Sequence, residues 1–370
     1  MRIGGGRRVV VAPDSFKGTA AARDAARAIA EGWARVRPED DVRPVPTADG
    51  GEGTLDAFET AHPGAVRHPV TVLGPDGRRV RTSWLGLPDG TAVVELAATS
   101  GITLLEVPLP DTAHTIGFGE AIAAALDAGA PRLVLAIGGS CSTDGGAGML
   151  AALGARILDD DGRPVPAGSA GLGRASAIDL RDLRPLPAGG ALVLTDVVAP
   201  LHGPAGASAV YGPQKGVMPD RIDLFDDRLR RFAALLPDVD AAARGAGAAG
   251  GTGFGLLAWG ARLIPGSAAT AEALGLDALL VDADLLITGE GRFDEQSTTG
   301  KVVGHLLGAA RAAGTRVALV AGAAEASTAA FDDAVLLGDL AGTPEAAMAD
   351  PLRWLREAGA VLAARRTAAG

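Results

Sequence analysis

The sequence predicts an α/β protein of two domains, one of them built on a parallel sheet. Three observations carry this reading. Strand, loop and helix patterns alternate from residue 8 to about 60 and again after about 265, the signature of a parallel sheet. Near residue 66 that rhythm gives way to short strands split by Pro-Asp-Gly turns, as in antiparallel hairpins. Glycine-rich loops bearing carboxylates recur at strand ends, where parallel sheets bind ligands.

The opening strand is the apolar run Arg8-Val9-Val10-Val11-Ala12, closed by Pro13-Asp14-Ser15-Phe16-Lys17-Gly18. Thr19 is a candidate N-cap, and Ala22, Ala26, Ile29 and Trp33 then recur at helical spacing. A second strand, Val42 to Val45, leads into Thr47-Ala48-Asp49-Gly50-Gly51-Glu52-Gly53-Thr54, and a helix follows from Leu55 to about Thr60. A domain boundary is expected near residue 65. Val70 to Leu73, Arg79 to Trp84 and Ala92 to Leu96 read as strands separated by Pro75-Asp76-Gly77 and Pro88-Asp89-Gly90. A helix from Phe118 to Ala128 precedes a buried strand, Leu133 to Ile137. That strand runs into Gly138-Gly139-Ser140-Cys141-Ser142-Thr143-Asp144-Gly145-Gly146-Ala147-Gly148, and a helical pattern with Met149, Leu150 and Leu153 leaves it.

Asp159-Asp160-Asp161-Gly162 reads as a solvated turn, for it lacks the alternating ligands of a calcium loop. Leu192 to Asp196 is a strand ending in a carboxylate, and the chain then reaches Tyr211-Gly212-Pro213-Gln214-Lys215-Gly216. Asp220 to Leu236 is an amphipathic helix, and Gly245 to Gly255 a second glycine-rich bend. Strands from Asp284 to Thr288, Val317 to Val320 and Val335 to Leu337, with a helix from Lys301 to Ala313, restore the βα rhythm. Residues 1–65 and 266–370 are therefore expected to share one parallel sheet, with 66–265 as an inserted α+β domain.

Composition excludes several function classes. The net charge of −10 leaves no basic run for nucleic acid. One cysteine excludes an internal disulfide framework and fits a reducing compartment. The apolar run near Met1 is too short for a signal peptide, and no stretch approaches the roughly 18 apolar residues of a membrane span. A soluble cytoplasmic protein, monomer or homo-oligomer, is expected. The scarce residues say more. Asparagine is absent, and lysine occurs only at Lys17, Lys215 and Lys301, each beside a glycine. Lysine is a compact charge that arginine cannot always replace at a phosphate.

Carboxylates close five loops: Asp14, Asp49 with Glu52, Asp144, Asp196, and Glu290 with Asp294. Any one of them serves equally well as an N-cap or turn former. Together they suit magnesium-dependent phosphoryl transfer. Magnesium needs one or two carboxylates, backbone N–H groups and lysines hold phosphates, and a further carboxylate accepts the proton of the attacking hydroxyl. The start of the helix that follows the Gly138–Gly148 loop offers N–H groups to an anion. No P-loop is present, since Glu295 stands where its first glycine belongs and Val302 replaces its Ser or Thr. No dinucleotide fingerprint or protein-kinase signature appears. The five histidines lack metal-ligand spacing, and Cys141 has no histidine partner in the pattern.

In order along the chain, Ala12-Pro13-Asp14-Ser15-Phe16-Lys17-Gly18, Ala48-Asp49-Gly50-Gly51-Glu52-Gly53-Thr54 and Ile137 to Gly148 resemble motifs of the bacterial glycerate kinases of the glycerate 2-kinase type. So do Gly203-Pro204 through Gly216, and Ile287-Thr288-Gly289-Glu290-Gly291-Arg292 through Asp294, Gln296, Gly300 and Lys301. The resemblance implies a flavodoxin-like domain joined to one likened to restriction enzymes. It implies ATP and D-glycerate as substrates, with Mg2+, and 2-phosphoglycerate as the expected product, with 3-phosphoglycerate as the alternative. The chain departs from the family pattern at Cys141 to Thr143, at Val198-Ala199 and at Ala113 to Glu120.

The expected catalytic residues are Asp196, Asp294, Lys17 and Lys215, with Asp196 and Asp294 also the metal ligands. Substrate contacts are expected from Arg292, Ser15, Asp49, Glu52, Gln214, Glu290 and Lys301, where Arg292 would fork the glycerate carboxylate. Gly138, Gly139, Ser140, Asp144, Gly145 and Gly146 would cradle phosphate. The alternative from another class is a small-acid or nucleotide sensor that kept the pocket without turnover.

Overall fold

A computed structural model describes residues 6–16, 18–298 and 302–368. Lys17, Gly300 and Lys301, together with the side chain of Gln296, lie outside what it describes. The strands in chain order are β1 (Arg8–Val11), β2 (Asp41–Pro44), β3 (Val66–Leu73), β4 (Arg79–Gly86), β5 (Ala92–Glu95), β6 (Leu133–Ala136) and β7 (Arg156–Leu158). They continue with β8 (Ala177–Asp179), β9 (Ala191–Leu194), β10 (Arg262–Ile264), β11 (Leu285–Phe293), β12 (Arg316–Ala324) and β13 (Asp333–Leu336). The chain divides into two compact units: Met1–Asp49, Asp56–Ala61 and Ser267–Gly370; and Gly50–Leu55 with His62–Gly266.

The first unit is a parallel sheet in the order β2-β1-β11-β12-β13. Numbered within the unit, this is 2-1-3-4-5, the flavodoxin-like doubly wound order. The three central strands, β1, β11 and β12, are buried on both faces, which explains their continuous apolar runs, whereas the edge strand β2 is largely exposed. Val9, Val11, Leu285 and Ile287 point to one side, onto the helices Ala22–Val36 and Pro351–Ala368. Val10, Ala12, Leu286 and Leu319 point to the other, onto Val302–Ala313 and Leu276–Val281. The side-chain period of two does this sorting.

The second unit is built on a six-stranded sheet, β10-β9-β6-β5-β4-β3, with a separate β7-β8 ribbon. The expected hairpins are present, for β3–β4 and β4–β5 are antiparallel. The other pairs are parallel, so the sheet is more of a parallel one than the turn signals suggested. Phe118, Ile122, Leu133, Leu135, Met149, Phe232 and Phe254 share its single core.

Several elements differ from expectation. β11 runs nine residues rather than ending at Thr288, because β12 is equally long and pairs with it as far as Phe293. Glu290 and Arg292 therefore sit on a strand and not in a loop. The helix expected over 220–236 begins as a 3-10 turn at Pro219–Arg221, and its α part is Ile222–Ala234. The bend expected over 245–255 contains the start of the helix Ala248–Ala258, interrupted at Ala249, Gly250 and Gly251. Among the described residues no helix is long and apolar enough to cross a membrane.

Candidate functional site

In the second unit the carboxyl ends of β5, β6, β9 and β10 lie level. Glu95 pairs with Ala136, Ala136 with Leu194, and Leu194 with Ile264. Functional side chains leave the sheet from these ends. The stretch 50–55 lies against them: Gly138 N–H donates to Gly50 O at 2.9 Å, and Leu55 N–H to the buried Glu95 carboxylate at 3.0 Å. Gly138 has to be glycine, because a Cβ there would come within 2.6 Å of Gly51 Cα.

The loop after β6 turns through left-handed backbone at Gly139, Gly145 and Gly146. Its organiser is Asp144, which is fully buried. The carboxylate accepts from Thr115 N (2.9 Å), Thr115 Oγ1 (2.8 Å), Ser142 Oγ (3.3 Å), Gly146 N (3.2 Å) and Gly148 N (3.2 Å). Thr115 Oγ1 also accepts from Met149 N at 2.9 Å, Ala147 N donates to Asp144 O, and Gly145 N donates to Gly250 O. This corrects the expectation that the helix start offers its N–H groups to phosphate. From Gly145 to Met149 they are already bonded within the protein, and the helix Ala147–Ala152 is only six residues long. The Asp144 carboxylate binds the loop itself. Sequence reasoning missed Thr115, whose partner lies 29 residues away.

Lys215 ends the 3-10 turn Pro213–Lys215 and is 3% exposed, so it is no solvated surface lysine. Its Nζ donates to Ser140 Oγ at 2.7 Å and to Ser142 O at 2.6 Å. Burial brings its pKa down to about 8, against the partial support of the nearby Asp144 charge. Cys141 is buried beside it, and burial pushes its thiol up to about 12, so it is no thiolate nucleophile. Asp196, partly buried, follows β9, and its Oδ1 accepts from Gly266 N at 2.9 Å. Gln214 is exposed, as is Glu52.

In the first unit the predicted residues again gather at the carboxyl ends of strands. Asp14 is buried and accepts from Ser15 N at 2.6 Å, and Ser15 is buried with it. Asp49 and Glu290 are partly buried. Arg292 is exposed and ion-paired with Glu325, which holds its pKa up. Such an exposed, solvent-screened pair does not bar Arg292 from a ligand carboxylate. Asp294 Oδ1 accepts from Ser297 N (3.1 Å) and Oγ (3.3 Å) and so caps the turn Glu295–Thr298. Among the described residues no three His, Cys, Asp or Glu side chains form a cluster that could hold a metal alone. Magnesium binds through one or two carboxylates and completes its shell with phosphate and water, so a single carboxylate such as Asp294 in the first unit or Asp196 in the second has the donor chemistry for it.

A family model described as "Glycerate kinase family" matches residues 9–366. The chain is 44% identical to a Bacillus subtilis protein named glycerate kinase, over 83% of this chain and 81% of that one. It is 42% identical to an Escherichia coli protein named glycerate 2-kinase, over 80% of each. A crystal structure from Salmonella typhimurium LT2, assigned to glycerate kinase 2, superposes with a TM-score of 0.79 at 37% identity and covers 99% of both chains.

Proposed function

The chain belongs to the glycerate kinase family, and from that premise we propose that it moves the γ-phosphoryl group of ATP to the 2-hydroxyl of D-glycerate, giving 2-phospho-D-glycerate and ADP. It is an ATP-dependent kinase, as its relatives are. The choice of carbon draws on the name of the Escherichia coli relative. The observation that carries the reading is the buried Lys215 ammonium, held against the glycine-rich loop at the carboxyl end of a parallel strand. A buried cation there suits an anionic oxygen, such as that of a phosphate. A cytoplasmic location fits the single free cysteine.

The residue roles follow from their chemistry. Asp196 takes the proton of the glycerate hydroxyl as the oxygen attacks phosphorus, and Gly266 N–H orients the carboxylate for this by binding one of its oxygens. Lys215 balances charge on the transferring phosphoryl group. With Asp196 as the base, Asp294, capped by Ser297, is the carboxylate that would hold magnesium. Magnesium, when bound, neutralises phosphate charge and orients the nucleotide. Arg292 is assigned to the glycerate carboxylate, with Ser15, Asp49, Glu52, Gln214 and Glu290 as further substrate contacts.

A phosphorus NMR time course with ATP, Mg2+ and D-glycerate tests the reading. A 2-phosphoglycerate signal should grow in step with ADP. A 3-phosphoglycerate signal would move the reaction to the other hydroxyl, and the absence of any product would overturn the reading. The sensor alternative gains nothing from the relatives, which are named as kinases.

A further inference from the structure

The N–H groups from Gly145 to Met149 are all bonded inside the protein. Just upstream the situation reverses. The backbone N–H groups of Ser142, Thr143 and Asp144 have no hydrogen-bond partner among the described residues, although all three residues are buried. The Thr143 hydroxyl is in the same state: Thr143 is 1% exposed, and its Oγ1 is buried with no partner among the described residues. Buried donors are nearly always paired in native proteins, and leaving one unmet costs about 1–3 kcal/mol. The Thr143 hydroxyl is such a donor, and three unbonded backbone N–H groups stand beside it in the same loop. Successive N–H groups form an anion-binding concavity when they converge.

Charge favours the same place. Lys215 Nζ donates to Ser142 O and Ser140 Oγ, so the cation sits on this run with one of its three donors left over among the described residues. The neighbouring negative group is Asp144, whose carboxylate is turned onto Thr115, Ser142, Gly146 and Gly148. We propose that Ser142-Thr143-Asp144 forms the phosphate subsite of this loop, in which three backbone N–H groups and the Thr143 hydroxyl donate to a phosphate of the nucleotide beside Lys215. The inference rests on the kinase reading and deepens it. It also gives function to a stretch where the sequence departs from the family pattern.

Thr143→Val tests it, because valine keeps the shape and removes only the hydroxyl. The first readout is the thermal melt of the ligand-free chain. Losing an unpartnered buried hydroxyl should leave the melting temperature unchanged or raise it, whereas a structural hydroxyl would lower it. The second is calorimetric binding of ADP, which should weaken about tenfold. The KM for D-glycerate should stay as in the wild type, and Thr143→Ser should recover ADP binding. Unchanged ADP affinity in the folded Thr143→Val variant would overturn the subsite. So would a raised glycerate KM with ADP binding intact, since the loop would then hold the acceptor's carboxylate. A wild-type chain that binds no ADP would bring down the kinase reading as well, which separates the two failures.

Discussion

At the scale of the residue, Lys215 makes two quantities move in opposite directions with pH. Burial lowers its pKa from 10.5 to about 8 in the folded chain. Between those values the unfolded chain binds more protons than the folded one. The stability that this group contributes therefore rises with pH from about 8 to 10.5. Activity should do the reverse, because only the charged lysine balances a phosphate. We expect kcat/KM for ATP to fall as pH climbs through about 8. The limb in kcat should lie higher, since a bound anion favours the ammonium. A profile of kcat/KM that stays flat across this range would remove Lys215 from phosphate binding. Asp196 allows a second test. If it is the base, Asp196→Ala should lower kcat by about a hundredfold or more with the fold intact; a smaller loss would leave it a binding role only. Lys215 was legible in the sequence because lysine is so scarce. The role of Asp144 was not, because its partner Thr115 comes from another helix start and no local pattern announces it.

At the scale of the element, the segment behind the loop is the decisive piece. Ala249, Gly250 and Gly251 are successive left-handed residues (φ 53°, 66° and 89°) at the head of the helix Ala248–Ala258. Sequence reading gave this stretch a bend on its glycines but could not say what the bend packs against. It backs the loop after β6 directly: Gly250 O accepts from Gly145 N, and a Cβ on Gly251 would stand 2.9 Å from Gly145 Cα. A Cβ on Gly250 would run into the Ser142 carbonyl and lie 2.9 Å from Lys215 Nζ. Gly250→Ala should therefore cost about 1–3 kcal/mol of stability, and it should raise the KM for ATP by displacing the carbonyl that holds Lys215. Ala249 bears the opposite strain, since a non-glycine residue in the left-handed region costs about 1–2 kcal/mol. Ala249→Gly should thus stabilise the chain, by about 1 kcal/mol once glycine's greater freedom in the unfolded state is counted. Urea denaturation of both variants checks the pair. A Gly250→Ala chain as stable and active as wild type would mean the segment is no backing for the loop.

At the scale of the whole molecule, the two units show what patterning can and cannot reveal. The first unit was legible almost strand by strand, because β1, β11 and β12 carry continuous apolar runs whose alternate residues serve two separate cores. The β7-β8 ribbon and β10 were not foreseen, for strands of three residues carry no period. The second unit nevertheless holds one continuous core, from Val72 to Ala261, drawn from a single stretch of chain apart from 50–55. A core of that kind is what an independently folding domain requires. A fragment of residues 50–266 should accordingly fold alone. It retains Trp84 and Trp259, and both are in that core. The fragment should unfold in urea as one cooperative transition, with a near-UV signal lost at the same midpoint as the far-UV signal. Non-coincident midpoints, or a near-UV spectrum without fine structure, would mean that this core needs the rest of the chain and that the unit is a region of one domain. The first unit makes the converse prediction. β1 lies between β2 and β11, which come from opposite ends of the sequence, so residues 1–49 without 267–370 should remain unfolded, lacking the strand and helices that bury Val9, Val10 and Val11.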